Sequence, residues 1–441
     1  MSRENIAIIG GGWAGIAAAI ELTEAGKQVT LIEAAPSLGG RAKTVDGKGT
    51  LDNGQHILSG AYRDTLALMR RIDIDPEKIM QRLPFTFMDN AGMRLAMPDA
   101  ANLPGANKLC MVWGLLRARG ISLKTKWQTA RWMLRLQKQG FIPEEDCTVR
   151  EWLAAAGQPP EFCERFWEPL CLAALNTPAS KASARLFAKV LQDTLGSNEA
   201  GSSDLLLPRV SFSELLPNPA ARWLTGHGAS VRLGCRVQRL SPSQDGWKIE
   251  SLAGEEVFSR VIIAVAPQHL PALLRELPES TESARFPAPP ATFSPIASVY
   301  FHYPKATTLP FPLMALSGGI GQWLVDRGDG LIAAVLSGMS AWEELSREEI
   351  AWKLHLEIWS ITGVSTFPEF DLFIEKRATF AALPNLARCP QQTPWQGLFL
   401  AGDYCWANYP ATLEGAVKSG LEAARLSCGR QLKNRFEGGR M

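Results

Sequence analysis

Among its eight cysteines the 441-residue chain has no C-x-x-C pair, so neither a zinc ribbon nor a disulfide framework is indicated. Nor does one charge dominate. Forty-six basic residues against 44 acidic ones leave +2, too little to argue for a nucleic-acid partner. No uncharged apolar run approaches the ~20 residues a spanning helix needs. The N-terminus carries no basic segment followed by an apolar run and a cleavage site, so no secretory signal is expected. No H-E-x-x-H occurs, nor a G-x-S-x-G elbow, so no metal site is expected and serine-hydrolase chemistry is set aside. These absences point to a reducing cytoplasm.

The composition is that of a globular protein: 46% hydrophobic, 20% charged, with 14 tryptophans. The length predicts two or three structural units. Ile6-Ala7-Ile8-Ile9 reads as a strand and Ala14 to Ala25 as a helix ended by Gly26. Val29 to Glu33 reads as a second strand, parallel to the first. Between them stands Gly10-Gly11-Gly12-Trp13-Ala14-Gly15, a G-x-G-x-x-G turn. Gly10 permits the tight turn, Gly12 the approach of a pyrophosphate, and Gly15 close helix packing. Trp13 and Ala14 open the helix, whose N-terminus favours phosphate. Glu33, ending the second strand, is placed to accept ribose hydroxyls.

Further along, residues 84–203 read as helical and Trp-rich, and Val231 to Ala266 as β-rich. Ile296 to Phe301 reads as a strand, Arg347 to Ile361 as a helix, and Leu398 to Ala401 as a strand running into Gly402-Asp403. The expected fold is α/β: a discontinuous Rossmann-like dinucleotide-binding domain (1–83, 204–267 and 385–441) with an inserted α+β substrate domain (84–203 and 268–384).

Gly39-Gly40-Arg41 follows Glu33, and Pro410 to Ala416 leads from Gly402-Asp403 into a C-terminal helix whose N-terminus suits an anionic reduced flavin. Together these segments resemble the flavin amine oxidase and phytoene desaturase superfamily over nearly the whole chain. The resemblance implies FAD, with Gly40 and Arg41 along the pyrophosphate and the Val237 backbone at the adenine. It places Gly402 and Asp403 at the ribityl or pyrophosphate, and the Leu413 N–H at flavin O2. Two runs narrow it. Leu51-Asp52-Asn53-Gly54-Gln55-His56 through Tyr62, and Phe166-Trp167-Glu168-Pro169 through Pro178, resemble bacterial squalene-associated FAD-dependent desaturases, also called hydroxysqualene dehydroxylases. That likeness implies an apolar isoprenoid substrate, an external electron donor, and reductive loss of a hydroxyl in hopanoid or triterpenoid synthesis. Gly54 and Gln55 would then line the cofactor. His56 would be the leading proton donor, cationic near neutral pH, with Tyr404 and Tyr409 in reserve.

The alternatives are a carotenoid-type desaturase, an amine oxidase, or an FAD-binding escort protein without turnover. Against amine oxidation, Thr412 stands where an aromatic is usual, and the 296–301 strand lacks a lysine, the nearest being Lys305. Between Ala100 and Pro143 there are eight basic residues and no acidic one. Leu123, Trp127, Ala130 and Leu134 repeat there at helical spacing beside Lys124, Arg131, Arg135 and Lys138. This pattern fits the solvated face of a core helix, or peripheral contact with the inner face of the membrane.

Overall fold

The computed structural model describes residues 4–45, 51–98, 107–338, 341–407 and 409–429. A five-stranded parallel sheet runs in the order Leu398–Leu400, Arg260–Ile263, Asn5–Ile9, Gln28–Ile32, Ser230–Arg232. Its strands come from chain segments hundreds of residues apart. After Asn5 the central strand is apolar because both its faces are covered. Ile6 and Ile8 join the core beneath the Trp13–Glu24 and Leu413–Ser427 helices. Ala7 and Ile9 pack with Trp247 and Ile249 of an antiparallel meander, Val237–Ser243, Gly246–Ser251 and Gly254–Phe258. The two helices meet at glycine: a Cβ on Gly420 would stand 2.1 Å from the Ala14 carbonyl oxygen. The fold is α/β with a Rossmann-like sheet.

A second sheet is antiparallel, in the order Leu313–Ala315, Trp323–Asp326, Leu331–Ser337, Phe293–His302, Glu369–Phe380. The two-residue period of its Phe293–His302 strand divides the work. Ala297, Val299 and Phe301 pack with Ile350, Leu354 and Ile358 of the Arg347–Thr362 helix. Tyr300 and Ser298 turn instead to the 51–57 loop, through Tyr300 Oη to the Asp52 carbonyl (3.2 Å) and Gln55 N to Ser298 Oγ (3.2 Å).

The stretch read as helical from residue 84 begins otherwise, with a hairpin of Thr86–Met88 and Arg94–Ala96. Strands of three residues are too short to display a period. Helices follow, among them Asn107–Arg117, Leu123–Lys138, Glu168–Leu175 and Ala184–Asp193, around a core of Trp132, Phe162, Phe166, Trp167 and Phe187. Residues Cys163–Trp167 form a π-helical turn, the Glu168 N–H reaching back to the Cys163 carbonyl. Pro169 has no N–H to continue the α ladder, which accounts for the local widening.

Candidate active site

A continuous cavity of about 1030 Å³ runs from the Gly-rich turn into the space between the second sheet and the Glu168–Leu175 helix. Gly10, Gly12, Trp13, Ala14, Glu33, Gly40, Arg41, Val237 and Asp403 all line it. At Gly10 the backbone has φ +111°, and a Cβ would stand 2.6 Å from the Ala264 carbonyl oxygen. Gly15 does not line the cavity; its Cβ would meet the Gly10 carbonyl oxygen at 1.9 Å, so its part is packing. A Cβ on Gly12 would meet nothing within 4 Å, and no side chain caps the helix that starts there. The first-turn N–H groups, which lack intrahelical partners, therefore face open space of the kind a pyrophosphate fills. The Glu33 carboxylate is fixed by the N–H groups of Gly11 (2.6 Å) and Ala35 (2.7 Å). It retains lone pairs for ribose hydroxyls.

Arg41 and Asp403 are brought together. Arg41 Nη2 donates to both Asp403 carboxylate oxygens at 2.8 Å, and its Nη1 to the Ala378 carbonyl at 2.9 Å. The ion pair ties the first segment to the last. Gly402 is held by its N–H to Ser419 Oγ at 3.0 Å, and a Cβ there would stand 2.5 Å from the Tyr404 ring. Leu413 is the first residue of its helix, capped by Thr412 Oγ1 accepting from Gly415 N at 3.1 Å. Its N–H has no partner within the helix and its residue lines the cavity. Gly54, Gln55 and His56 line the same cavity from the 51–57 loop.

The flavin containing amine oxidoreductase description matches residues 13–426. The chain belongs to this family. It is 30% identical to the hydroxysqualene dehydroxylase of Rhodopseudomonas palustris over 96% of this chain and 98% of that protein. It is 25% identical to the zeta-carotene desaturase of Zea mays over 96% of this chain and 83% of that protein. A putrescine oxidase with a redesigned cofactor site shares the fold, with TM-score 0.70 at 18% identity over 97% of this chain and 99% of that one. As a member of the family the chain is an oxidoreductase that uses FAD, and the Gly12 cradle, Glu33 and the Arg41–Asp403 pair fit that group.

The expectation of a cationic His56 is corrected. Burial first, and the Arg41 charge second, push its pKa down to about 4. The ring lines the cavity, lies 4.6 Å from the Phe212 ring, and its buried Nε2 has no hydrogen-bond partner among the described residues. At neutral pH the imidazole is uncharged. Because the unfolded chain takes up a proton below pH ~6.5 that the folded chain refuses until about 4, the contribution to stability is complete above 6.5 and lost as pH falls toward 4. The denaturant midpoint is expected to fall between pH 7 and 5, and His56→Gln to flatten that slope by ~1–3 kcal/mol. An equal slope in the variant contradicts the assignment.

Tyr404 and Tyr409 line the cavity but are poor acids. Burial holds Tyr404 well above the ordinary phenol range; burial first, then Asp193, raise Tyr409. Lys305 is exposed and outside the cavity, unlike a lysine placed for amine oxidation. Two residues were missed. Asp193, at the end of a helix without any motif, lines the cavity and pairs with Lys189 at 2.7 Å. Asn176 stands in the left-handed region (φ +46°). Its side chain donates to Thr379 Oγ1 (3.0 Å) and the Ser294 carbonyl (3.2 Å) and accepts from Gly338 N (2.7 Å), pinning the Glu168–Leu175 helix to the sheet. The Leu-Asn-Thr-Pro sequence there carried the signal, since asparagine before a proline at a helix end favours that conformation.

Proposed function

We propose that this chain removes the hydroxyl of hydroxysqualene reductively, giving squalene. The observation that carries the reading is the apolar arm of the cavity. Leu170, Ala173 and Ala174 lie at helical spacing on one wall, with Ile296, Leu313 and Val335 across from them. An arm of this kind suits a long isoprenoid. Reduced FAD, when bound, supplies a hydride. The chain's part is to hold the allylic carbon and to keep water from the delocalised cation that hydroxyl loss leaves. His56 is the residue proposed to hold the hydroxyl, as a neutral ring on the cavity wall. The reaction consumes reduced flavin, so an external donor must reload it. The likeness to zeta-carotene desaturase favours desaturation as the second reading, with electrons flowing the other way. Anaerobic incubation of the reduced protein with hydroxysqualene separates the two.

The substrate's place in the bilayer bears on a second feature. The Leu123–Lys138 helix buries Thr125, Thr129, Trp132, Met133 and Leu136, and turns its apolar stripe outward. Leu123 is 81% exposed, Trp127 63%, and nearby Leu116 59% and Ile142 69%. Arg117 lies over Trp113 and Arg131 over Trp127, at 5.0 and 5.3 Å. No described helix is long and apolar enough to cross a membrane. This face is proposed to rest on an anionic bilayer, with Trp and Leu in the headgroup layer and the basic residues around them. The protein is expected to float with anionic liposomes at low salt and less at high salt. The triple variant Leu123→Ala, Trp127→Ala, Ile142→Ala is expected to stay in the dense fraction. Equal flotation of the variant, or none by the wild type, contradicts the proposal.

A further inference from the structure

A smaller pocket of about 410 Å³ lies behind the 51–57 loop. Gln81, Arg209, Asp326, Arg327 and Gly328 give it a polar lining, and Arg209 and Gly328 are exposed at its mouth. It shares Gln55 and Val325 with the main cavity, so at that point the wall is one side chain thick. Gln55 is clasped there: Arg327 Nη1 donates to its Oε1 at 2.8 Å, and its own N–H is held by Ser298. The same guanidinium lies 3.7 Å from the Asp52 carboxylate, which is buried and fixed by Phe212 N at 2.8 Å. Arg327 is itself anchored by its backbone N–H to the Leu331 carbonyl. The wall between the two spaces is therefore made of Val325 and of the Gln55 side chain, whose amide is held by Arg327.

We infer that this pocket is a polar side port through which the hydroxide or water released in the main cavity leaves, with the Gln55–Arg327 hydrogen bond as its inner gate. The inference rests on the dehydroxylation reading. In that reaction the C–O bond breaks and its electron pair leaves on oxygen as hydroxide. A hydride from anionic reduced flavin forms the new C–H bond; the carbon is reduced and the flavin oxidised. Export of hydroxide is equivalent to entry of one proton and exit of one water. The apolar arm cannot serve, because in the substrate complex the hydrocarbon fills it. The other end is taken by the dinucleotide. Inside, Asp326 and the Asp52 carboxylate beside Arg327 balance the charge, so attraction for a small anion is set at the mouth by the exposed Arg209, where fixed positive charge raises the local concentration of the opposite sign.

The test uses dithionite, a small anionic reductant, on the FAD-loaded protein with squalene filling the arm, and follows loss of yellow colour. Gln81→Trp plugs the pocket from its rim, and Arg209→Glu reverses charge at its exposed mouth with no demand on the core. Each variant is expected to keep its FAD and to be reduced at least about tenfold more slowly than wild type, by loss of access and of charge attraction respectively. Without squalene the contrast should narrow, because the arm then stands open. Reduction of both FAD-containing variants at the wild-type rate, with and without squalene, overturns the port. If the plug slows dithionite but the wild type leaves hydroxysqualene unchanged, the pocket stands as a route for small anions and its role as a hydroxide exit falls with the dehydroxylation reading. If the wild type dehydroxylates and neither variant slows dithionite, the port alone falls.

Discussion

Gly12→Val yields a folded, colourless protein. Gly12 has φ −71° and ψ 177°, a conformation any residue adopts, and its Cβ would meet no protein atom within 4 Å. The Cβ of the new side chain therefore displaces no protein atom. It projects into the space before the helix N-terminus, where the pyrophosphate must come within hydrogen-bonding distance of the backbone. Losing one charge-assisted bond removes ~1.5–3 kcal/mol, and overpacking adds ~1–3 kcal/mol. FAD affinity should thus fall by about 10²–10⁴-fold. Gly15→Ala is the contrast: its Cβ would overlap the Gly10 carbonyl oxygen, so it should damage the fold itself. Visible absorbance and thermal midpoint, measured on both, separate these effects. A yellow Gly12→Val protein would remove the cradle from the account.

The second large effect is expected at the other end of the cavity. Ala173 lines the apolar arm and is open to it, so Ala173→Trp places an indole in the arm without displacing core atoms. An isoprene unit pushed out of the arm loses several buried carbons at ~0.8 kcal/mol each. Turnover of a long isoprenoid should drop by about 10²–10³-fold. FAD content should be unchanged, because none of the residues that fit the dinucleotide lies on the Glu168–Leu175 helix. Full turnover in a yellow Ala173→Trp protein would mean that the substrate lies elsewhere.

Much of the cofactor end was legible in the sequence, because backbone geometry dictated residue type. Gly10 and Gly15 leave no room for a Cβ, and Glu33 closes a strand whose apolar run is forced by burial on both faces. Other features were hidden for physical reasons. Arg41 and Asp403 are 362 positions apart, and no local pattern announces that one guanidinium holds both oxygens of that carboxylate. The type of residue 56 suggested an ordinary histidine, whereas its pKa is set by burial that only the tertiary fold creates. On the Leu123–Lys138 helix the inward face carries Thr125 and Thr129, Thr129 bonded to Gln158 at 3.1 Å, while Leu123 and Trp127 face outward. Periodicity located two faces there and could not say which one the core takes.

The direction of electron flow tests the central claim most directly. The protein, reduced anaerobically in D2O so that the flavin carries exchangeable deuterium at N5, is mixed with hydroxysqualene, and flavin colour and product mass are followed together. The account predicts return of the yellow oxidised flavin and squalene carrying one deuterium at the carbon that bore the hydroxyl. Flavin that stays reduced with hydroxysqualene unchanged, alongside oxidised protein that bleaches while placing new double bonds in a saturated isoprenoid, would contradict it.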